Sequence, residues 1–174
     1  MAIREIITVP HEILRGKARK VNSFGSELQT LIDDMVETMR AAPGVGLAAP
    51  QVDVPLRVIV VEFAESEEGE EGEEVTPDLF ICVNPKITPT TADEVVGTEG
   101  CLSIPGIVGD VSRPDSVTVR CLNRHGQPMK IKASGWLARI FQHEVDHLNG
   151  VLFVDLAEKV WAIEGETTQI APAD

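Results

Sequence analysis

Hydrophobic positions recur at helical spacing in two segments of the chain. In residues 26–40 the apolar side chains fall on one face of a helix, and they are Leu28, Leu31, Ile32, Met35, Val36 and Met39. Residues 135–148 repeat the pattern, and their apolar side consists of Leu137, Ile140, Phe141, Val145 and Leu148. Pro43-Gly44 and Asn149-Gly150 end the two helices. Each predicted helix therefore has one side that must pack against a core.

Runs of β-branched and aliphatic residues predict strands between the two helices. The predicted strands cover residues 57–63, 79–83, 117–121 and 128–131, and a brief one covers 151–154. A turn at residues 123–126 joins the third and fourth strands as a hairpin. Because these strands do not alternate with helices, we expect an α+β fold with antiparallel or mixed sheets around the second helix. The first amphipathic helix is expected on the N-terminal side of them.

Composition narrows the classes of protein and partner that fit this pattern. The chain has 174 residues, 28 acidic and 15 basic, and a formal net charge of -13. One domain with a real core fits this length, and the negative charge argues against direct binding to nucleic acid or to an anionic membrane. No apolar run approaches the roughly 20 residues of a membrane helix, and no secretory leader pattern is present, so we expect a cytoplasmic protein. Seven glutamates in residues 65–74 predict a solvated acidic loop.

Two of the four histidines lie four residues apart in the second predicted helix. His143 and His147 would stack on one face, where two imidazoles can share a metal ion. Glu144 lies beside them and can take a proton from a metal-bound water. A buried polar cluster costs several kcal/mol, about 2–7 per group, unless its members are paired or bind a metal. The segment therefore predicts a metal-dependent hydrolase.

A catalytic metal site usually has three protein ligands and a water, so a third ligand is needed. One protease class places a third histidine six residues after His147, where this chain has Phe153. Another class uses a more distant glutamate. Glu164 and Glu166 lie near that distance, in a segment without helical pattern. A structural zinc module is disfavoured because no fourth Cys or His has suitable spacing.

Cys101 is the better third ligand. It lies in the sequence EGCLSIPG at residues 99–106, whose glycines and proline predict an exposed turn. A thiolate is a good ligand for zinc or ferrous iron. Cys82 and Cys121 lie within apolar strands, where we expect them to be small buried hydrophobic residues.

Three motifs in order resemble peptide deformylase, the polypeptide deformylase family. They are GVGLAAPQ at residues 44–51, EGCLS at 99–103 and QHEVDHLNG at 142–150. The resemblance covers roughly residues 3–156. It implies a catalytic domain over residues 1–156, with the acidic loop at 65–74, and a short acidic tail over 157–174. The implied activity is removal of the formyl group from the N-terminal formyl-methionine of new polypeptides, with release of formate.

The resemblance also implies a role for each matching residue. The metal, Fe(II) first and Zn, Ni or Co as substitutes, would be held by Cys101, His143 and His147. Glu144 would be the general base and then the acid for the leaving amine. The side-chain amide of Gln51 and the backbone N–H of Leu102 would stabilise the oxyanion.

Further residues are expected to bind the substrate or support its site. The resemblance implies that the Gly46 backbone pairs with the substrate peptide and that Glu99 helps hold the site together. The positions of Val45, Trp136 and Ile140 in the sequence suggest that they form an apolar pocket for the methionine side chain. For Trp136 and Ile140, ordinary core packing is the alternative. Some family members carry an arginine near Val108 that helps hold the substrate backbone, and this chain lacks it.

Nascent formylated polypeptides are the expected partners. Transient ribosome association fits this role, but not through a basic C-terminal helix. The residues after Ala157 contain one base, Lys159, against the four acids Glu158, Glu164, Glu166 and Asp174. Docking of this tail on ribosomal RNA is therefore not expected.

Overall fold

The computed structural model describes residues 2–64 and 76–163. Its α-helices are α1 (Ser26–Ala41), α2 (Gly135–Leu148) and α3 (Phe153–Leu156). Its strands are β1 (Gly46–Ala48), β2 (Val58–Phe63), β3 (Asp78–Pro89), β4 (Glu94–Cys101), β5 (Ile104–Pro114), β6 (Ser116–Leu122), β7 (Pro128–Ser134) and β8 (Lys159–Ala162). Short 3-10 helices occupy Glu12–Arg15 and Ala49–Val52. The predicted loop 65–74, Glu164 and Glu166 lie outside the described residues.

The strands form two antiparallel sheets. The first sheet has the order β1-β2-β3-β6-β7, and the second has the order β4-β5-β8. The prediction of an α+β fold with antiparallel sheets is confirmed. None of the helices in residues 2–64 and 76–163 is long and apolar enough to cross a membrane.

Strand β2 is covered on both faces, which explains its uninterrupted apolar sequence. Val58 and Val60 belong to the hydrophobic cluster that includes the apolar face of α1. Ile59 and Val61 belong to the cluster that includes the apolar side of α2. A strand with one wet face would alternate apolar and polar residues, whereas all four of these side chains are buried. The first sheet therefore lies between α1 and α2.

Strand β3 runs further than its sequence predicts. Its predicted range ends at residue 83, but the strand continues to Pro89 after a register shift between Val83 and Lys86. Asn84 adopts a left-handed backbone, with φ of 53°, and its side chain bonds both the N–H and the carbonyl of Val21. The extra residues form an irregularity of the bulge type, which a strand can absorb without ending.

The second sheet is the part of the fold that the sequence pattern missed. β4 and β5 carry several glycines and show no clear alternation of apolar and polar residues. The brief strand predicted at 151–154 is wrong, because Phe153–Leu156 is a helical turn. Strand β8 begins three residues beyond the predicted domain boundary at 156, and it pairs with residues 107–110 of β5. Part of the expected tail thus belongs to the sheet.

Gly150 ends α2 against the N-terminal part of the chain. Its φ is +74°, and a Cβ built on it would overlap the backbone carbonyl of Arg15. Close by, the Ala18 N–H donates to the Leu148 carbonyl at 2.8 Å. Only glycine permits this approach of two backbone segments.

We therefore expect Gly150→Ala to lower the free energy of unfolding by about 3 kcal/mol, from left-handed backbone strain of about 1–2 kcal/mol plus overpacking of 1 kcal/mol or more. Gly106→Ala is the matched control, because Gly106 has φ of +80° but, among the described residues beyond its chain neighbours, no atom lies within 4 Å of a built Cβ. The control should show the strain alone. Urea unfolding measures both variants, and equal losses would contradict the role given to the Arg15 contact.

Candidate metal centre and active site

Helix α2 presents two histidines to the interior, one turn apart. The ring centroids of His143 and His147 are 5.0 Å apart, and both side chains are buried. His143 also stacks on Phe153 of α3, with centroids 6.1 Å apart. The spacing of four residues thus brings the rings to one place, as the sequence predicts.

Cys101 joins this pair from the last position of β4. Its Sγ lies 3.4 Å from His147 Nε2, and one donor atom from each of Cys101, His143 and His147 lies within 4.8 Å of the others. The expectation of an exposed turn is wrong, because Cys101 and Ser103 are fully buried and Leu102 is half-buried. The turn itself follows at residues 102–103, while Cys101 is fully buried in a cluster with Phe153 and its neighbours.

The donor set fits a divalent transition metal. Imidazole nitrogen and thiolate sulfur suit zinc and ferrous iron. Among the described residues, His143 Nε2 is buried without a hydrogen-bond partner. Such an atom is costly unless something binds it, and a metal ion would do so.

Glu99 fixes the opposite side of the His143 ring. Its Oε1 lies 2.9 Å from His143 Nδ1, and its carboxylate also accepts hydrogen bonds from Arg113 and Arg139 at 2.6–2.9 Å. Burial raises the pKa of Glu99, but His143 and Arg113 outweigh burial and hold it well below its ordinary value. The ionised carboxylate orients His143 so that Nε2 faces the other two metal donors.

Two arginines that the sequence did not predict lie behind Glu99. Both are almost fully buried. Arg113 of β5 also donates to Asp146 of α2 at 2.8 Å. Arg139 precedes His143 by one helical turn and donates to the carbonyls of Val111 and Val95 as well. The spacing of four residues from His143 could have pointed to Arg139, whereas no sequence signal marks Arg113.

Gly97 makes room for the Arg139 guanidinium. A Cβ built on Gly97 would lie 2.8 Å from Arg139 Cζ, well inside ordinary contact distance. The guanidinium also lies 5.4 Å from the centre of the Trp136 ring. Strand β4 therefore has no side chain at the point where the charged guanidinium from helix α2 lies against it.

Protonation of the histidines follows from their surroundings. Burial lowers the pKa of His143, but the nearby Cys101 thiol and the Glu99 carboxylate outweigh it and raise the pKa to about 10. In His147, burial and the charge of His143 hold the pKa well below its ordinary value. Because a ligating histidine must be neutral toward its metal, binding of a metal would displace a proton from His143.

Glu144 lies beside the metal donors and against strand β1. Burial raises its pKa to about 7, although the charge of His143 opposes this. A Cβ built on Gly46 would overlap the Glu144 carboxylate, so only the bare glycine backbone can lie there. A buried carboxyl with a pKa near neutrality can both accept and donate a proton.

Gln51 approaches Cys101 from the 3-10 helix Ala49–Val52. Its Oε1 accepts the Ala48 N–H at 3.0 Å. Its Nε2 donates to Ser103 Oγ at 3.0 Å and lies 3.7 Å from Cys101 Sγ. The amide group is thus oriented with its donors toward the turn that carries Leu102.

The three candidates for the methionine pocket share one hydrophobic cluster. Ile140 is fully buried in the core between the first sheet and α2. Val45 and Trp136 are partly buried and pack against that same core. Core packing is thus established for all three, and a substrate pocket stays a prediction.

Comparisons with known proteins agree with this geometry. The family model described as Polypeptide deformylase matches residues 3–161. A peptide deformylase of Symbiobacterium thermophilum is 50% identical over 155 residues, which are 89% of this chain and 67% of that protein. One of Dehalococcoides mccartyi is 44% identical over 174 residues, covering 100% of this chain and 95% of that protein.

Solved structures give the same result. The crystal structure of peptide deformylase from Ehrlichia chaffeensis has a TM-score of 0.81 at 40% identity, covering 91% of this chain and 89% of that one. The structure of the Ehrlichia chaffeensis enzyme in complex with actinonin has a TM-score of 0.82 at 40% identity, with 91% of both chains covered.

We expect Glu99→Gln to weaken metal binding by about 10–100-fold, because the His143 ring loses the charged acceptor that orients it. Glu94→Gln, at the exposed start of the same strand, is the control and should bind as the unchanged protein does. Competition with a chelator measures both dissociation constants. Equal affinity in the two variants would refute the orienting role of Glu99.

Proposed function

The chain belongs to the polypeptide deformylase family and is a hydrolase, and we propose that it removes the N-formyl group of the N-terminal formyl-methionine of newly made polypeptides. The main support for this proposal is that Cys101, His143 and His147 converge beside the buried Glu144 carboxyl. Hydrolysis of the formyl amide releases formate and leaves a free amino terminus.

The site would hold one divalent ion, with Fe(II) as the first choice. Its protein ligands would be Cys101, His143 and His147. Zinc, nickel and cobalt suit the same donors, so availability decides among them. When bound, the ion supplies Lewis acidity, which polarises an acyl oxygen and lowers the pKa of water to about 7. We propose that Glu99 serves this set through His143. We expect this supporting role for Glu99 and not direct substrate binding, because its carboxylate is fully buried and bound to three side chains.

Glu144 acts as the general base and then as the general acid. Its pKa of about 7 suits both tasks near neutral pH. It takes a proton from the attacking water and later delivers a proton to the leaving amine nitrogen. The carboxylate lies against Gly46 of strand β1, where a side chain would overlap it.

The side-chain amide of Gln51 and the backbone N–H of Leu102 donate hydrogen bonds to the developing oxyanion. Each such donor typically contributes about 3 kcal/mol. The Gly46 backbone pairs with the extended substrate peptide. The methionine side chain would enter an apolar pocket bordered by Val45, Trp136 and Ile140, and a tight fit at the metal would select formyl over larger acyl groups.

Residues 1–156 make up the catalytic domain in this proposal, with strand β8 as its continuation. Transient association with the ribosome would not use residues 158–174, because acids outnumber bases there.

The activity is tested by purifying the protein without oxygen, measuring its metal content, and assaying formate or acetate release from matched formyl-Met and acetyl-Met peptides. We expect one metal per chain and at least about 100-fold faster turnover of the formyl peptide, since an oversized acyl group loses binding as well as alignment. Equal rates on both peptides would refute the proposed specificity.

We expect Glu144→Gln to retain the metal and to lower kcat by about 100- to 10,000-fold, because the amide cannot take the proton. Glu158→Gln, a change of the same kind at an exposed position, is the control and should keep kcat unchanged. Metal analysis and the formate assay are run on the same preparations. Full activity of Glu144→Gln would overturn the mechanism.

A further inference from the structure

The N-terminal segment, residues 2–9, contacts both loops that carry the proposed oxyanion donors. The Ile7 N–H donates to the backbone carbonyl of Gln51 at 2.7 Å. The Val9 N–H donates to the backbone carbonyl of Ser103 at 2.9 Å. Ser103 directly follows Leu102, so one short segment contacts the carriers of both donors.

The two loops also contact each other through side chains. Gln51 Nε2 donates to Ser103 Oγ at 3.0 Å, and both residues are fully buried. This bond joins the 3-10 helix Ala49–Val52 to the turn between β4 and β5. The N-terminal segment spans the same junction with its backbone, which leaves little freedom for one loop to move relative to the other.

Helix α1 anchors the other end of the segment through two buried polar side chains. Asp34 Oδ1 accepts the Ala2 N–H at 2.7 Å, and Asp34 Oδ2 accepts Arg4 Nε–H at 2.9 Å. One turn further, Thr38 Oγ1 accepts the Arg4 N–H at 2.9 Å. The hydrogen bond from Ala2, together with Arg4, holds the pKa of Asp34 below its ordinary value despite burial.

These contacts give Asp34 and Thr38 a use that the hydrophobic face of α1 does not explain. Polar side chains on a buried helical face cost free energy unless they are paired. Here they are paired with one segment, and that segment leads directly to Gln51 and Ser103.

We infer that residues 2–9 are a strap that holds Gln51 in place relative to the Leu102–Ser103 turn, with Asp34 and Thr38 as positioning residues. The inference rests on the proposed function, because it assumes that Gln51 and Leu102 donate to the oxyanion. Oxyanion donors contribute only when held at hydrogen-bond distance from the developing charge. A shift of about 1 Å in such a group can cost up to about 100-fold in rate.

The first test compares Asp34→Asn with Asp33→Asn. In the first variant an amide replaces the carboxylate, so either Ala2 or Arg4 loses its acceptor. Asp33 is the neighbouring, more exposed acid, which pairs with Arg124. For Asp34→Asn we expect kcat per bound metal to fall about tenfold, with KM within about twofold, because the loss appears in the transition state. The control should match the unchanged protein in both constants.

Thr38→Val provides a second route to the same result if Asp34→Asn folds poorly. Valine has the shape of threonine but cannot accept the Arg4 N–H, so kcat should again fall while KM and metal content hold. Unchanged kcat in folded Asp34→Asn or in Thr38→Val would refute the inference that residues 2–9 position Gln51.

A double-mutant cycle with Gln51→Ala separates positioning from general stability. If the strap acts through Gln51, Asp34→Asn should lower kcat about tenfold in the unchanged protein but less than about twofold in the Gln51→Ala background. Equal losses in both backgrounds would overturn the inference. Full kcat in Gln51→Ala alone would instead refute the proposed role of Gln51 as an oxyanion donor. The inference about residues 2–9 would then fail as well, because it depends on that role.

Discussion

The site depends on one buried carboxylate, that of Glu99. Taking an ion out of water costs several kcal/mol even after the protein relaxes, so a lone glutamate could not remain there ionised. Arg113, Arg139 and His143 together supply the compensation. These partners come from β5 and α2, while Glu99 itself belongs to β4. The second sheet is therefore joined to the helix that packs on the first sheet, and the metal donors lie at this junction.

Much of the fold could be predicted from local patterns. The apolar spacing of α1 and α2 matches their buried faces, and the unbroken aliphatic run of β2 reflects cover on both sides. The second sheet could not be predicted in this way. Gly97, Gly100, Gly106 and Gly109 interrupt β4 and β5, so their periodicity is weak although they pair as a hairpin, and β8 pairs with β5 from a position distant in sequence.

The residues of the site also fall into those that a local sequence pattern reveals and those that it does not. His143, Glu144 and His147 could be found because a helix converts a spacing of four residues into proximity. Cys101 could be proposed as a ligand, but its burial could not, because the glycines and proline around it are typical of exposed turns. Arg113 and Arg139 neutralise a charge 14 and 40 residues away. No local pattern contains that information, whereas a resemblance of whole motifs carries the ligand set as a unit.

Because Gly97 lies directly against the Arg139 guanidinium, the residue at one position restricts what the other position can carry in evolution. The guanidinium cannot swing aside to admit a side chain at residue 97, because Glu99 and the carbonyls of Val95 and Val111 all hold it. A lineage that acquires a side chain at position 97 must give up Arg139 in the same step or lose the ion cluster. An arginine at position 139, held as it is here, therefore requires a glycine at position 97, whereas a glycine at 97 does not require the arginine.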